Sequence, residues 1–346
     1  MTGNTIRIGV IGCGFYAQNH LNAWRDLTPF GAALTAVCDV DAAKAKAAGE
    51  TFGVPWHTDV KAMLAAEKLD AVDIVTRQDT HREIAETTIA HGVSTIVQKP
   101  FAPTWEDATA IVEAAKKARV WLAVHENFRY QAPLRAVRKV IDSGAIGEPS
   151  WARITFRTGF DVYRTQPYFS DEERFVIADV GVHVLDVARF LLGDVSRISC
   201  ETQRRNPKVR AEDTATMLLR HESGAVSVVE VTYEARRADD WFPETLLEIE
   251  GPRGSIVVTA GSRMKLTSDG VASETDIGTP LLPWTSHPWH VSQEGALGAC
   301  RHFLDCLQRG VPAETRGEDN LRTYALVDAA YRAAAEHRAI APAQWG

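Results

Sequence analysis

The sequence predicts an α/β fold in which a doubly wound parallel sheet is followed by an α+β region with a large, mostly antiparallel sheet. Three features of the 346-residue chain support this prediction. A glycine turn lies between an apolar strand and an amphipathic helix near the N-terminus. Apolar strands and helices then alternate as far as residue 124, which indicates parallel strands. Beyond residue 149, strands follow one another directly, which indicates antiparallel pairing.

The glycine turn belongs to a strand, turn, helix and strand unit over residues 6–39. It reads Gly12-Cys13-Gly14-Phe15-Tyr16-Ala17. Gly12 permits a tight turn, and Gly14 has no side chain to keep a pyrophosphate from the N-terminus of the following helix. We therefore predict that this turn, including Phe15 and Tyr16, binds a dinucleotide.

An acidic residue at the end of the second strand predicts which dinucleotide is bound. Asp39 lies 25 residues after Gly14, where a carboxylate can accept hydrogen bonds from both hydroxyls of the adenosine ribose. A 2′-phosphate at this place would meet a like charge, and the next residue is Val40 rather than arginine. The pattern therefore predicts NAD rather than NADP.

Composition narrows the possible classes of function. Hydrophobic residues make up 45% of the chain and charged residues 24%, which suits two globular domains, and the net charge of −7 argues against nucleic-acid or anionic-membrane partners. The five cysteines are scattered without metal-ligand spacing, so we predict reduced thiols and no metal site. No signal-like N-terminal segment and no apolar run of about 20 residues is present, so we expect a cytoplasmic protein.

Polar clusters follow the predicted strands of the alternating region. Further strands are predicted at 34–38, 71–75, 93–97 and 120–124, and helices at 42–52, 60–66, 82–91 and 105–118, with Asp59 and Thr80 as helix caps. Ligands bind beyond the carboxyl ends of parallel strands. This rule selects Thr76, Gln78 and His81, then Gln98 and Lys99, then Asn127, as predicted cofactor contacts. A lysine at a strand end can also simply mark the surface.

The second half of the chain has a different pattern. We predict a boundary after residue 127, with an NAD-binding domain at 1–127 and a domain for substrate binding and oligomerisation at 128–346. Strands are predicted at 150–157, 200–204, 214–221, 225–233, 245–250, 255–259 and 264–267, and helices at 134–143, 292–309 and 318–337. A sheet face of this size favours a homodimer or homotetramer.

One segment of the second half carries three titratable residues at helical spacing. Asp179, His183 and Asp186 are four and three residues apart, which puts them on one face of an α-helix. A salt-bridged helix surface would show the same spacing, and a metal site would need histidine or cysteine ligands that the segment lacks. Gly181 weakens a helix and favours close approach of the backbone to another group.

The strings GVIGCGFYAQNH, QKP, NFRY and DVGVHVLDVARFL occur in the order and at the separations typical of the Gfo/Idh/MocA oxidoreductases. The chain resembles this family over essentially its whole length. The resemblance implies an N-terminal Rossmann domain, a C-terminal domain with an open-faced sheet, and assembly as dimers or tetramers. Two positions depart from the family pattern: Gln98 stands where glutamate is usual, and Thr76-Arg77-Gln78 stands where Thr-Pro-Asn is usual.

The same resemblance implies a substrate site lined by Lys99, Asp179 and His183, with Asn127 and Asp186 able to contact substrate. We expect transfer of a hydride from a cyclic sugar or polyol to NAD, for example oxidation of an aldose to its lactone. His183 is then the general base, since an imidazole can accept a proton at cellular pH. Asp179 holds the ring or a neighbouring hydroxyl, and Lys99 stabilises negative charge on the reacting oxygen.

The substrate is predicted less narrowly than the reaction. Residues 156–169 interleave polar side chains, including Arg157 and Tyr163, with aromatic rings, as sugar sites require. This segment is similar to that of bacterial dehydrogenases of the branched pentose apiose, whereas Arg157 and Arg164 leave an acidic sugar open. The alternatives are an inositol or sugar-acid dehydrogenase, an NAD-dependent glycosidase of the same fold, and a non-enzymatic dinucleotide-binding regulator. Residues 284–290 could cap the site or lie in a subunit contact.

Overall fold

The computed structural model describes residues 5–238 and 240–344, which divide into two compact units. The first unit contains the residues up to Asn127 together with Ala296–Leu321. The second unit contains Phe128–Gly295 together with the residues from Arg322 onward. The sequence analysis assigns residues 296–321 to the second domain, so for this segment the structure differs from the prediction.

The first unit is built on a parallel sheet of six strands. In chain order they are β1 (Ile6–Ile11), β2 (Ala32–Cys38), β3 (Trp56–His57), β4 (Ala71–Ile74), β5 (Ser94–Gln98) and β6 (Leu122–His125). Their order in the sheet is β3-β2-β1-β4-β5-β6, so the direction of winding reverses at β1. This confirms the predicted doubly wound sheet, and in such sheets the ligand crevice lies at the point of reversal.

Five helices connect these strands. They are α1 (Ala17–Asp26), α2 (Ala42–Phe52), α3 (Val60–Ala66), α4 (His81–Ala90) and α5 (Trp105–Ala118). Asp59 caps α3 as predicted, because its carboxylate accepts a hydrogen bond of 2.7 Å from the Ala62 N–H. The predicted cap at Thr80 is wrong. Its hydroxyl bonds to the Thr76 hydroxyl and the Arg77 carbonyl instead of an α4 amide.

The Ala296–Leu321 segment joins the first unit because it pairs with β6. The Val124 N–H donates to the Thr315 carbonyl at 2.8 Å, and the Thr315 hydroxyl donates to the Val124 carbonyl at 2.7 Å. Close by, the Trp121 indole donates to the Val311 carbonyl at 2.9 Å. These bonds join residues about 190 positions apart, a separation at which local periodicity carries no information.

The second unit is built on a sheet of eight strands. They are β7 (Trp151–Arg157), β8 (Val195–Gln203), β9 (Thr214–His221), β10 (Val226–Thr232), β11 (Leu246–Gly251), β12 (Gly254–Thr259), β13 (Arg263–Ser268) and β14 (Val271–Asp276). The order is β14-β13-β12-β11-β7-β10-β9-β8, and only β7 and β10 pair in parallel. The mostly antiparallel sheet is confirmed. Strand β14 is absent from the prediction because all its residues are exposed, which leaves no alternation of apolar and polar residues.

Helices of the second unit cover the apolar face of this sheet. They are α6 (Ala132–Asp142) and α7 (Val182–Leu192). Two long helices, α8 (His290–Arg309) and α9 (Gly317–Glu336), follow β14, and most of α8 belongs to the first unit while most of α9 belongs to the second. Val184 and Val187 of α7 share one buried cluster with Ile154 and Phe156 of β7. None of the helices formed by the described residues is both long and apolar enough to cross a membrane.

A buried ion pair lies within the second unit. The Arg129 guanidinium donates to both carboxylate oxygens of Asp186, at 2.7 and 2.5 Å, and the Thr323 hydroxyl donates to the same carboxylate at 2.9 Å. The side chains of Arg129 and Asp186 are only 6% and 0% exposed. Removal of either partner would take away two short charged hydrogen bonds in the interior, so we expect the pair to be required for stability.

We expect Asp186→Asn to lower the free energy of unfolding by about 3 to 5 kcal/mol, because it removes the negative charge that the buried Arg129 guanidinium contacts through two hydrogen bonds. The measurement is urea denaturation followed by circular dichroism. Asp142→Asn is the matched control, since it breaks the exposed Arg138–Asp142 pair and should cost at most about 1 kcal/mol. Equal small losses in both variants would contradict a structural role for Asp186.

Candidate active site

The glycine turn of the first unit has the geometry needed to receive a phosphate group. Gly12 has φ +98°, and a Cβ there would lie 2.4 Å from the Val75 carbonyl oxygen, so only glycine fits. A Cβ at Gly14 would meet nothing within 4 Å, so the space beside the turn is open. Tyr16, the residue before α1, provides no side-chain cap for the helix. The first amides of α1 therefore remain suited to bind a pyrophosphate.

Asp39 lies beside this turn at the end of β2. One carboxylate oxygen accepts a hydrogen bond of 2.8 Å from the Cys13 N–H, and the other accepts one of 2.9 Å from the Asp41 N–H. The following residue, Val40, is 91% exposed. The carboxylate is thus held next to the glycine turn with no positive side chain directly after it, which fits the ribose of NAD and disfavours a 2′-phosphate.

Two predicted cofactor residues are brought together in the same unit. The Asn127 amide donates to the Tyr16 hydroxyl at 3.1 Å, linking the end of β6 to the start of α1. Thr76 is half-buried after β4 and Gln78 is exposed, while Phe15 is 74% exposed. These residues line the carboxyl ends of β1, β4 and β6, where the doubly wound sheet places its ligand.

His81 differs from the prediction that it contacts cofactor. Its ring is 1% exposed and lies between two loops. Nε2 is 3.1 Å from the Thr76 carbonyl, and Nδ1 is 3.1 and 3.2 Å from the carbonyls of Pro100 and Phe101. Burial lowers the pKa of this imidazole. His81 therefore links the loop after β4 to the loop after β5. These contacts occupy both ring nitrogens, so they explain why a histidine is buried at this position.

Lys99 follows β5 directly and its peptide bond to Pro100 is cis. The residue is half-buried, and its N–H donates to Oε1 of Gln98 at 2.6 Å. Gln98 is 5% exposed, so its amide is part of the interior of the unit and not of an open surface. The side chain that replaces the usual glutamate thus binds the backbone of the predicted catalytic lysine.

Asp179 and His183 of the second unit do not share one α-helix, which corrects the prediction. A π-helix spans Ile177–Gly181 and carries Asp179, and α7 begins only at Val182. A Cβ at Gly181 would lie 3.2 Å from the Val176 carbonyl oxygen, a close backbone approach within the segment itself. The His183 ring stacks on Phe128, with centroids 4.0 Å apart and planes 3° from parallel.

Tyr233, which the sequence analysis does not single out, contacts the predicted catalytic residue Asp179. Its hydroxyl donates to Oδ2 of Asp179 at 3.1 Å, and its ring stacks against Phe175 at 5.7 Å. Burial, together with the charge of Asp179, raises the pKa of Tyr233 well above its ordinary value, so the phenol stays protonated as a donor. A tyrosine just after an apolar strand carries no local signal of such a contact.

The remaining predicted substrate residues lie in different parts of the second unit. The Tyr163 ring lies 5.8 Å from Phe175 and therefore belongs to the aromatic cluster around Tyr233. Arg157 lies 4.0 Å from Glu230, which also accepts a bond from Arg153, and this is the face of the sheet opposite the buried cluster. The structure therefore does not bring Arg157 to Asp179, and the Asp186 carboxylate is already paired with Arg129.

Three potential metal ligands meet in the interior of the first unit. Ligand atoms of His20, His125 and Cys300 lie within 4.8 Å of one another. Both ring nitrogens of His20 are already hydrogen-bonded, to Asp73 and to Gln98. Burial lowers the pKa of His125 to about 3 and raises that of the Cys300 thiol well above its usual range. We assign no ion to this cluster, because Asp73 and Gln98 already occupy both ring nitrogens of His20.

Comparisons with known proteins cover nearly the whole chain. The family described as "Oxidoreductase family, NAD-binding Rossmann fold" matches residues 6–126, and the "GFO/IDH/MocA C-terminal domain" matches residues 134–257. A D-apiose dehydrogenase of Rhizobium rhizogenes is 45% identical and covers 98% of each chain. One of Paraburkholderia graminis is 46% identical over 96% of this chain and 88% of its own.

A solved structure with the same fold comes from Agrobacterium radiobacter. It is an oxidoreductase in complex with NAD+, L-tartaric acid and magnesium. Its TM-score to this chain is 0.95, its identity is 44%, and the match covers 98% of both chains.

We expect Asp39→Asn to lower the ratio of kcat/KM for NAD over NADP by about tenfold to hundredfold, because it removes a charge that repels the 2′-phosphate. Initial rates with both dinucleotides test this. Asp142→Asn, which removes an exposed carboxylate of the second unit, should leave the ratio unchanged. An unchanged ratio in Asp39→Asn would mean that another residue selects the dinucleotide.

We expect Tyr233→Phe to lower kcat by about tenfold, because Asp179 loses the hydrogen bond that orients it. Tyr331→Phe is the matched control: it too removes a largely buried hydroxyl that donates to a carboxylate, that of Glu212. Steady-state rates and melting temperatures of both variants are compared. Equal effects of the two substitutions on rate would assign Tyr233 a role in stability only.

Proposed function

Because the chain belongs to the Gfo/Idh/MocA family of oxidoreductases, we propose that it oxidises a hydroxyl of a cyclic aldose to the lactone, with D-apiose as the favoured substrate. The chain is an NAD-dependent oxidoreductase. One observation carries the choice of substrate: the two D-apiose dehydrogenases share close to half of their residues with this chain along nearly its whole length.

The residues of the first unit fit NAD. We assign the pyrophosphate to the turn at Gly12 and Gly14, the adenosine ribose to Asp39, and the nicotinamide half to the region of Tyr16 and Asn127. Support comes from the open space at Gly14 and from the position of the Asp39 carboxylate beside the turn. When bound, NAD supplies the acceptor for the hydride that leaves the substrate carbon.

The proton chemistry is assigned to side chains of the protein. His183 accepts the proton of the reacting hydroxyl, and its stacking on Phe128 fixes the plane of the ring. Asp179, oriented by Tyr233, holds a neighbouring hydroxyl or the imidazole. Lys99 donates to the reacting oxygen and stabilises the charge that develops as the proton leaves.

Recognition of the sugar is assigned to aromatic and polar groups of the second unit. Tyr163 lies in the aromatic cluster with Phe175. A second patch is formed by Phe160 and Phe242, which stack at 4.0 Å, with the edge of Trp289 against both rings. Flat apolar surfaces with a few polar groups suit a sugar ring. Trp289 belongs to the 284–290 segment, which supports a place for that segment near the sugar.

We extend the proposal to assembly and location. The eight-stranded sheet is the surface through which a homodimer or homotetramer would form. A reducing compartment such as the cytoplasm is favoured because the five cysteines are all buried thiols without disulfides. Size-exclusion chromatography with light scattering tests the assembly.

A substrate panel is the direct test. Purified protein is incubated with NAD and D-apiose, other aldoses, inositols and sugar acids, and NADH absorbance is followed. We expect the highest kcat/KM with D-apiose and a lactone as product. Highest kcat/KM with an inositol or a sugar acid would replace the substrate. Free sugar released from a glycoside without net NADH would replace the reaction, and no turnover with any compound would favour a regulator.

In the active enzyme, Lys99→Met and His183→Ala should each lower kcat by about two to four orders of magnitude, because each removes a group that moves or stabilises charge in the transition state. NAD affinity, measured by calorimetry, should change little. Lys117→Met and His91→Ala remove exposed residues of the same types and serve as controls. Turnover at the control level in either site variant would exclude that residue from the mechanism.

A further inference from the structure

A chain of four buried hydrogen-bonded groups ends at the backbone of Lys99. The Lys99 N–H lies 2.6 Å from Gln98 Oε1, and Gln98 Nε2 lies 2.8 Å from His20 Nε2. His20 Nδ1 lies 2.7 Å from Asp73 Oδ2, which also accepts a bond of 2.7 Å from the Trp24 indole. His20, Asp73 and Trp24 are 0% exposed.

The direction of every bond in this chain follows from its first member. A backbone N–H only donates, so the oxygen of the Gln98 amide must face Lys99 and the NH2 group must face His20. The amide nitrogen also only donates, so Nε2 of His20 must be unprotonated and must accept. The imidazole is therefore neutral and carries its proton on Nδ1, which donates to Asp73.

Asp73 is an acceptor that suits this arrangement. Its Oδ2 accepts hydrogen bonds of 2.7 Å from both His20 Nδ1 and the Trp24 indole. The other titratable groups that face His20 are His125 in β6, whose ring lies 4.0 Å away, Tyr16 at the start of α1, and Cys300 in α8. Asp73 is thus the group that fixes the tautomer of His20.

We propose that His20 is a positioning residue for the reaction, which acts through Gln98 to hold the backbone of Lys99. A glutamine side chain has three rotatable bonds, and binding to the next N–H costs conformational entropy. The buried acceptor on His20 holds the amide in the required orientation, so Lys99 leaves the end of β5 in one direction. The inference rests on the role proposed above for Lys99.

The network also gives a reason for glutamine at position 98. A glutamate there would need a proton on His20 Nε2, which would create an imidazolium between two carboxylates. That imidazolium would be lost as the pH rises through its pKa, and the link to residue 98 would be lost with it. The neutral glutamine makes the same link without a second proton on the imidazole.

Three measurements test the proposal. First, 15N NMR of histidine-labelled protein should show the proton of His20 on Nδ1 and an unprotonated Nε2. Second, His20→Asn keeps a donor toward Asp73 but removes the acceptor for Gln98. We expect kcat to fall about tenfold with KM for NAD within about twofold of wild type, as expected for loss of one buried hydrogen bond that matters in the transition state. His91→Asn, at an exposed histidine, is the control.

Third, Gln98→Glu should introduce a pH dependence that the wild-type network lacks. The ratio of its kcat to that of wild type should be near one at the acidic end of the range and fall as the pH rises. This comparison is made within a folded variant and so decides the question even if His20→Asn does not fold.

Three outcomes would overturn the inference: a cationic His20 or a proton on its Nε2, a kcat of His20→Asn equal to that of the control, or a ratio for Gln98→Glu that does not change with pH. Wild-type turnover in Lys99→Met would instead overturn the role proposed for that lysine. An inactive Lys99→Met together with a fully active His20→Asn would overturn the positioning role alone.

Discussion

The absence of a side chain at Gly12 is the constraint on which the first unit depends. At this point the Gly12 N–H donates to the Cys38 carbonyl and the Val75 N–H donates to the Ile11 carbonyl, both at 2.7 Å. The ends of β1, β2 and β4 are therefore held together with no room for a Cβ. Asp39 follows β2 directly and Thr76 lies two residues after β4, so their positions beside the open space at Gly14 are consequences of that contact.

The two units orient their polar groups by a common physical means. In the first unit, Gln98 is buried and bonded on both sides, and in the second, Asp179 accepts a hydrogen bond from a tyrosine whose pKa is raised well above its ordinary value. Each buried polar group loses its hydrogen bonds to water, and a hydrogen bond of fixed direction within the protein compensates for that loss. Such networks allow few alternative arrangements, which suits groups that must be placed accurately for proton and charge movement.

How much of the molecule the sequence predicts depends on the range of the interactions. The glycine turn and the bounds of α2, α3 and α5 follow from local periodicity and caps, and the structure has them as predicted. The π-helix at Ile177–Gly181 does not, because its spacing resembles that of an α-helix over one turn. Asp186 and His81 have the residue types of a ligand site, but contacts that periodicity does not reveal bury both side chains. Asp186 pairs with Arg129, 57 positions away, and His81 lies against the carbonyls of Thr76, Pro100 and Phe101.

The return of the Ala296–Leu321 segment to β6 has a consequence for biosynthesis. The edge of the nucleotide-binding sheet acquires its last partner only after the ribosome has translated Thr315, 191 positions beyond Val124 of β6. Until then the nascent β6 exposes unpaired amides and carbonyls. Another chain can pair with such an exposed strand edge and cause aggregation, and chaperones can bind it. Expression of residues 1–127 alone would make that transient state permanent.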